Sequence, residues 1–370
     1  MFKVDYPFKK EILACGTQSQ ANFCLTKKSS AFVVNNLGSL EEESAMKHYQ
    51  GEIERLRKEL KIQPKVIAHD LHPGCSSTKY AQGLSRQIQG LTFVPVQHQK
   101  AHIASCIGEN RIGDRVIGVV FDGQALGEDG SIWGGDFFLG DIKGLKRIAH
   151  FKYTPVPDGK ENHLESSELA ASFLYQAFGD NFVGLEIDFM RYRRQNDWQV
   201  FKEKLAHLPH SSSVAKIFDA VFALLGGSSK LAYEGRGVVE LERIVNRSSH
   251  VAGRTYEFQL KQAEDGFLIC PEPIIQGVVE DLKKNISRSI ISAVFHNTLV
   301  EIVRQLCHKI KQQEKVNDVV LTGAVFQNKV LFNRLKALLA QDGFRVITHK
   351  HFSCNDSNIS FGQAVLASRK

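Results

Sequence analysis

The chain has 370 residues, of which 47 are basic and 40 acidic, giving a net charge of +7; 43% of its residues are hydrophobic and 24% are charged. This balance is ordinary for a folded protein, and the positive excess is too mild to indicate nucleic-acid binding by itself. No apolar run approaches the ~20 residues of a membrane span, and no secretory signal opens the chain. The seven cysteines are scattered singly, so a reducing cytoplasm is expected. Two domains are expected from the length.

Residues 1–113 predict one α/β lobe. Three short strands, at 11–16, 21–27 and 30–36, are followed by an amphipathic helix at 40–60 and a strand at 64–74. A helix then begins at the hydroxyl-rich residues 76–78, and a strand at 91–96 leads into a helix that opens with a histidine.

The same order of elements then begins again. Three strands at 115–124, 131–141 and 146–154 precede mainly helical segments, including 168–179 and 211–227, and a late strand from 317 leads into a helix and a further strand at 344–349. This repeat predicts a two-lobed α/β fold, with lobes at 1–113 and 114–352 and a C-terminal segment, 353–370, whose helix packs back on the first lobe. Such lobes commonly hold a nucleotide between them, and no G-x-G-x-x-G follows the first strand as a Rossmann domain would require.

Candidate metal ligands are His98, His102, Asp122 and Asp356. The two histidines are one helical turn apart, which is the spacing that two ligands from one helix need, although such a pair by itself is more often unliganded. Asp122 ends an apolar run and is either a turn residue or a carboxylate at the cleft. Asp356 precedes the last helix and is either a helix cap or a second carboxylate.

Candidate nucleotide contacts lie in two other segments. In "LTGAVFQN", Gly323 and Ala324 allow close approach of a ligand, and the helix start that follows favours an anion; the alternative is a tight strand–helix turn. Asp219 adjoins the apolar stripe of the helix in 211–227, either as an exposed residue or as a partner for ribose hydroxyls.

Taken in order, the motifs "DLHPGCSSTKYA", "VQHQKAHIAS", "FDGQALGEDGSIWGGDFFLGD", "SSSVAKIFDAVFALLGG", "YEGRGVVELE", "LTGAVFQN" and "NDSNISFGQA" closely resemble the C-terminal carbamoyltransferase region of HypF-type hydrogenase-maturation proteins. The resemblance runs from about Ile12 to the C-terminus. It implies a two-lobed actin/sugar-kinase-like (duplicated RNase H-like) fold with a nucleotide and metal cleft. It also implies a divalent metal, Fe²⁺ or Zn²⁺, on the four candidate ligands. ATP or carbamoyl-adenylate would lie near five positions, namely Lys216, Asp219, Gly323, Ala324 and Asn328.

The implied activity is metal-assisted transfer of a carbamoyl group from carbamoyl-adenylate to a cysteine thiolate of a HypE-like partner. The chain begins just before the transferase region, so it is either an isolated domain or a short paralogue supplied with adenylate by a separate YrdC-like protein. Departures from the family pattern are Gln20 for lysine, Gln124 for threonine, Ala215-Lys216 for Gly-Arg, Ala324 for glycine, and a changed segment at 157–169.

These departures keep two alternatives open. One is a transferase with another acceptor, such as a tRNA in threonylcarbamoyl chemistry or a small-molecule hydroxyl. The other is a non-catalytic paralogue that serves as a binding or regulatory partner. The basic segments 191–194 and 308–315 are short and typical of solvated helix surface, so a nucleic-acid partner is not expected.

Overall fold

The computed structural model describes residues 1–87, 90–157, 164–191, 195–228, 230–231, 234–245, 251 and 253–369. Most of the basic segment 191–194, part of the changed segment 157–169, and Tyr233 lie outside these residues. Within them, no helix is both long enough and apolar enough to cross a membrane. All seven cysteines are described, and each is a free thiol.

The first sheet is built from the N-terminal repeat. Its elements are β1 (Phe2–Asp5), β2 (Ile12–Ala14), β3 (Phe23–Lys27), β4 (Ser30–Val34), α1 (Glu43–Glu59), β5 (Val66–Asp70), α2 (Ser76–Gln87), β6 (Thr92–Val96) and α3 (His98–Asn110). The strand order is β1-β4-β3-β2-β5-β6; β2, β3 and β4 form an antiparallel meander, and β5 and β6 run parallel to β2. The predicted strands and helices of this half are confirmed, and β1 is an additional edge strand.

The rest of the chain forms the larger sheet, a separate two-stranded sheet and the remaining helices, the last of which packs on the first sheet. Its elements are β7 (Val116–Leu126), β8 (Ile132–Asp141), β9 (Gly144–Phe151), β10 (Thr154–Pro155), β11 (Leu164–Glu165), α4 (Ser166–Phe178), α5 (Asp188–Arg191), α6 (Gln195–Leu205), β12 (His210–Ser211), α7 (Val214–Leu224), β13 (Lys230–Leu231), α8 (Arg236–Ile244), β14 (Gln259–Ala263), β15 (Gly266–Cys270), α9 (Glu272–Lys283), α10 (Arg288–Glu314), β16 (Asp318–Thr322), α11 (Lys329–Gln341), β17 (Arg345–Ile347) and α12 (Ile359–Ala367). Short 3-10 helices lie at Gly179–Gly184, Ala324–Gln327 and Asp356–Asn358.

The central order of this sheet is β14-β15-β9-β8-β7-β16-β17, with β16 and β17 parallel to β7. The run β9-β8-β7-β16-β17 therefore has the same order and directions as β4-β3-β2-β5-β6. This duplication is the two-lobed actin/sugar-kinase-like fold that the repeat predicted. The β14–β15 hairpin is an addition that the sequence reasoning did not identify.

The last helix, α12, belongs to the core of the first sheet. Its residues Phe361, Ala364 and Val365 are buried in one cluster with residues of β2, β3 and β5. Gly362 lies so close to α3 that a methyl group there would be 1.9 Å from the carbonyl oxygen of Ala101. The predicted boundaries after residues 113 and 352 fall between elements. The chain thus crosses from the second sheet back to the first between β17 and α12.

Candidate metal centre and adjoining cleft

The parallel strands place the candidate metal ligands at neighbouring strand ends. In the first sheet, Asp70 at the end of β5 pairs in register with Val96 at the end of β6, and α3 begins two residues later with His98. Because the carboxyl ends of parallel strands lie at one edge of a sheet, Asp70 comes to lie beside the start of α3. The chain N-caps this helix with Gln97, whose side chain accepts a hydrogen bond from the N–H of Lys100.

The second sheet supplies the first carboxylate. Asp122 lies inside β7, where the pairing with β8 shifts register between Phe121 and Ala125. β16 ends beside it, since Thr322 pairs with Val120. The turn that we considered for Asp122 is therefore wrong: the strand continues through a bulge, and the bulge directs the residue to the cleft edge.

His98, His102, Asp122 and Asp356 converge, with one ligand atom of each within 4.8 Å of the others. The Nε2 atom of His98 lies 3.4 Å from Asp122 Oδ2 and 3.4 Å from Asp356 Oδ1. The Nε2 atom of His102 lies 3.2 Å and 3.8 Å from the same two oxygens. Asp356 belongs to the 3-10 helix before α12, whose N-cap is Asn358, so the helix-cap role considered for Asp356 is wrong.

Each imidazole is held from behind by its own acceptor. The Nδ1 atom of His98 lies 2.9 Å from Asp70 Oδ2, and the Nδ1 atom of His102 lies 3.1 Å from Asn358 Oδ1. The amide of Asn358 is oriented by its Nδ2, which donates to the backbone oxygens of residues 353 and 355. Its Oδ1 must therefore accept, and the Nδ1–H of His102 must donate.

This arrangement fits a divalent cation. With Nδ1–H directed outward, a neutral imidazole turns an unprotonated Nε2 toward the two carboxylates, and these lone pairs repel one another unless a positive charge lies among them. Two imidazole nitrogens and two carboxylate oxygens form a donor set suited to zinc or iron. Outer partners such as Asp70 and Asn358 are those that metal-bound histidines require.

The pKa values of His98 and Asp122 are also those expected of a site that favours positive charge among the carboxylates. Burial alone would lower the pKa of His98, but Asp356, Asp122 and Asp70 outweigh it and raise that pKa well above its ordinary value. Burial would raise the pKa of Asp122, but His102 and His98 hold it well below its usual range. Both histidines are buried, and His102 is 0% exposed.

The nucleotide candidates of α7 adjoin the metal candidates. Ser213 caps this helix, accepting from the N–H of Lys216 and donating to the carbonyl of Asp122. The Lys216 side chain is 2% exposed, and its Nζ lies 3.2 Å from Oε1 of Glu234. A methyl group at Gly123 would lie 3.4 Å from the Glu234 carboxylate. The ion pair of a buried lysine with a partly exposed glutamate therefore borders the residue that follows Asp122.

Asp219 is engaged by the backbone. It is only 1% exposed, so the exposed alternative is wrong. Its Oδ2 accepts from the N–H of Gly235 at 2.9 Å, and its Oδ1 accepts from the N–H of Gly237 at 2.6 Å. Burial raises its pKa to about 6, although these two hydrogen bonds act in the opposite direction.

Gly323 and Ala324 act through the backbone. Gly323 has a φ of 103°, and a methyl group there would lie 2.2 Å from the carbonyl oxygen of Phe121, so β16 can end against β7 only with glycine. The N–H of Ala324 donates to Asp122 Oδ1 at 3.1 Å and helps to orient that carboxylate. The helix predicted after this turn is first a 3-10 turn, and α11 begins only at Lys329.

Both polar atoms of the Asn328 side chain form hydrogen bonds within the protein. Its Oδ1 caps α11 by accepting from the N–H of Leu331. Its Nδ2 donates to the carbonyl of Val238 at 3.1 Å and to Nε2 of His296 at 2.8 Å. Segment 234–238 therefore contacts Lys216, Asp219 and Asn328, and it brings three of the five nucleotide candidates to one place.

Sequence reasoning assigned no role to Asp70 or Asn358, and it left the role of segment 234–238 open although that segment lies within the motif "YEGRGVVELE". The sequence contained a signal for Asp70: it is an acidic residue at the end of β5, and the next strand, β6, leads into the helix that carries the histidines. Asn358 follows Asp356 in "NDSN", but its role depends on a contact with α3 that no local pattern predicts.

The fold and the site define a two-lobed actin/sugar-kinase-like domain with a candidate metal centre between its lobes. The chain belongs to the HypF carbamoyltransferase family: residues 7–109 match the HypF Kae1-like domain, and residues 118–363 match the second subdomain of the carbamoyltransferase Kae1-like domain. Carbamoyltransferase HypF2 of Cupriavidus necator is 32% identical over 96% of the chain and 46% of its own length. A carbamoyltransferase HypF homolog of the same organism is 27% identical over 97% of the chain and 92% of its own length.

Two solved structures share the fold. A crystal structure of full-length HypF in the phosphate- and nucleotide-bound form superposes with a TM-score of 0.91 and 35% identity, covering 99% of the chain and 56% of that protein. The HypF of T. kodakarensis gives a TM-score of 0.84 at 22% identity, covering 100% of the chain and 48% of that protein. The chain spans about half the length of HypF2 and of these two HypF proteins.

Proposed function

We propose that the chain transfers a carbamoyl group from carbamoyl-adenylate to a cysteine thiolate of a HypE-like protein. Membership of the HypF family supports the proposal. The observation that carries it is the buried set of two imidazole nitrogens and two carboxylates at the strand ends between the lobes. A thiolate acceptor needs a reducing compartment, which agrees with seven free cysteines and with a cytoplasmic location.

The proposed metal is Fe²⁺ or Zn²⁺, held by His98, His102, Asp122 and Asp356. It would polarise the carbamoyl carbonyl and offset the negative charge of the phosphate. Asp70 and Asn358 fix the two imidazoles in the tautomer that presents Nε2 inward.

The adenylate would occupy the space bordered by α7, segment 234–238 and the start of α11. Lys216, paired with Glu234 in the structure, is the buried cation placed to exchange that carboxylate for a phosphate oxygen. Asp219 and Asn328 would fix segment 234–238 at this site, because Asp219 accepts from the N–H groups of Gly235 and Gly237 and Asn328 donates to the carbonyl of Val238.

The transfer step is an acyl substitution. The thiolate sulfur forms a bond to the carbamoyl carbon, the bond from that carbon to the phosphate oxygen breaks, and AMP leaves with the electron pair. The products are a protein cysteine S-thiocarbamate and AMP. A separate YrdC-like protein is the proposed source of the adenylate.

The second candidate is a non-catalytic partner protein that keeps the fold and the metal. Two observations favour it. Both carboxylate oxygens of Asp219 already accept hydrogen bonds from the protein, and Lys216 already forms an ion pair with Glu234. A nucleotide would have to compete with these contacts.

Calorimetric titration of ATP separates the two candidates. The protein is titrated without metal, with Zn²⁺, and with Fe²⁺ under anaerobic conditions. Metal-dependent binding of ATP is expected for the transferase. If ATP fails to bind in all three conditions while the metal binds, the non-catalytic candidate is favoured.

A transfer assay tests the activity directly. The metal-loaded protein is incubated with a YrdC-like enzyme, ATP, carbamoyl phosphate and a peptide ending in cysteine. Mass spectrometry should detect one added carbamoyl group on this peptide and none on the matched peptide ending in serine. Equal modification of both peptides would refute a thiolate acceptor. Modification that persists unchanged in Asp356→Asn would refute the proposed role of the metal centre.

A further inference from the structure

A second buried polar cluster lies farther along α3. Ligand atoms of Cys106, Glu109 and His349 lie within 4.8 Å of one another, as they would in a metal site. The Glu109 carboxylate, however, is already occupied. Its Oε1 lies 2.5 Å from Nδ1 of His349, and its Oε2 accepts from the N–H groups of Lys350 at 3.0 Å and His351 at 2.8 Å.

The protonation states agree with a hydrogen-bonding role. Burial raises the pKa of the Cys106 thiol well above its ordinary value, so the sulfur stays protonated and is a poor ligand. Burial would also raise the pKa of Glu109, but the hydrogen bonds from His349 and from the backbone outweigh it and lower that pKa. Glu109 is thus an ionised carboxylate with three donors directed at it.

The donors belong to the connection between β17 and α12. Asn110 adds a fourth bond to this connection, since its Nδ2 donates to the carbonyl of Thr348 at 3.0 Å. The far ring nitrogen of His349 lies 2.8 Å from the hydroxyl of Thr322 at the end of β16. The first residues of the connection are therefore fixed to both lobes at once.

The same connection carries Asp356 and Asn358 to the candidate metal centre. Glu109 lies on α3 with the two histidines, about two turns beyond His102. A single rigid helix therefore carries two candidate ligands at one end and anchors the segment that brings the fourth at the other.

We propose that Glu109 is a positioning residue that fixes the β17–α12 connection so that Asp356 faces the histidines before the metal binds. The inference rests on the metal centre of the proposed function. Without the anchor, part of the connection would have to become ordered when the metal binds, and this entropic cost weakens affinity. Loss of an outer partner of a metal site typically weakens binding by about 10- to 100-fold.

The test is the metal affinity of Glu109→Gln. Glutamine keeps the length of the side chain but presents an N–H₂ group where only acceptors fit. Zn²⁺ affinity is measured by competition with a chromophoric chelator, and Co²⁺ absorption reports the number and type of ligands. We expect affinity to fall by about 10- to 100-fold and the Co²⁺ spectrum to change. Circular dichroism of the metal-free protein should stay native.

Asp281→Asn is the matched control. Asp281 is also a buried carboxylate, accepting from Tyr256 Oη at 2.9 Å and from Arg254, but it lies on α9, away from the connection. This variant should lose thermal stability while keeping wild-type Zn²⁺ affinity. An equal loss of affinity in both variants would mean that general destabilisation, and not positioning, explains the effect.

The outcomes distinguish failure of the positioning role of Glu109 from failure of the proposed metal centre. If the wild-type protein binds neither Zn²⁺ nor Co²⁺, the proposed metal centre is refuted together with the role of Glu109. If wild type binds and Glu109→Gln binds equally well with the same Co²⁺ spectrum, only the positioning role is refuted. If Glu109→Gln does not fold, Glu109→Asp keeps the charge but shortens the side chain by one methylene and withdraws the carboxylate from the N–H groups of Lys350 and His351; unchanged affinity in that variant overturns the inference.

Discussion

The stability of the second lobe should depend on pH through His296. This histidine of α10 is fully buried; its Nδ1 lies 2.7 Å from the carbonyl of Ser292, and its Nε2 lies 2.8 Å from Asn328 Nδ2. The Asn328 amide is oriented by the N–H of Leu331 and the carbonyl of Val238, so Nε2 of His296 must accept. A proton on Nε2 would place one donor against another.

The magnitude follows from the pKa of His296. Burial first, then the nearby Arg334, lowers it from 6.5 to about 4, against the opposing effect of the hydrogen bond to the Ser292 carbonyl. The unfolded chain takes up a proton near pH 6.5, while the folded chain resists protonation until about pH 4. The contribution of His296 to the free energy of unfolding is therefore greatest above pH 6.5. It falls by about 3 kcal/mol as the pH decreases from 6.5 to 4.

The assay is urea unfolding from pH 7.5 to pH 4 of wild type, His296→Phe and His296→Gln. At pH 7.5 His296→Phe should be less stable than wild type by about 1–3 kcal/mol, because Asn328 loses an acceptor. The gap between wild type and each variant should shift by about 3 kcal/mol in favour of the variant as the pH falls to 4. Using differences removes the opposing contribution of Asp219, whose raised pKa makes it stabilise the fold at lower pH. Parallel pH profiles for the three proteins would refute the reasoning.

Three further predictions concern the metal centre, the nucleotide site and the packing of the last helix. His102→Ala should abolish stoichiometric Zn²⁺ binding at a stability cost of about 1–3 kcal/mol, since the side chain is buried; full metal occupancy would remove it from the ligand set. Asp219→Ala should weaken ATP binding about tenfold without changing metal content, and unchanged ATP affinity in calorimetry would contradict the role of Asp219. Gly362→Ala should destabilise the protein by about 1–3 kcal/mol in urea because its methyl group meets Ala101, whereas Gly51→Ala in α1, with open space around it, should stabilise by about 0.5–1 kcal/mol. A stable Gly362→Ala protein would mean that α3 and α12 can separate at little cost.

The repeated order of strands and helices was predictable because it depends on local periodicity. Alternating and continuous apolar runs marked most strands of both sheets, and the spacing of His98 and His102 placed them on one helical face. Several strands were not predicted, and two of them show a related reason. Three of the four side chains of the edge strand β1 are exposed, and β14 is mostly polar, so neither shows the pattern of a buried strand.

The roles of Asp219 and Asn328 could not be read from local patterns. Both are polar residues beside apolar helical segments, and from sequence alone such residues are expected to be exposed or to contact a ligand. The fold instead brings α8 against both, and its backbone and neighbouring loop use their hydrogen-bonding groups.

The sequence by itself determined the duplicated lobes and nominated the four metal candidates, because strand order follows local periodicity and each candidate sits in a recognisable motif. Only the tertiary structure decided which groups surround them. Asp70 and Asn358 are joined to the two histidines of α3, and Glu109 of α3 is joined to the connection that carries Asp356, by contacts between segments far apart in the chain. Hydrogen bonds of this kind depend on the positions of whole strands and helices, and no spacing within one segment records them.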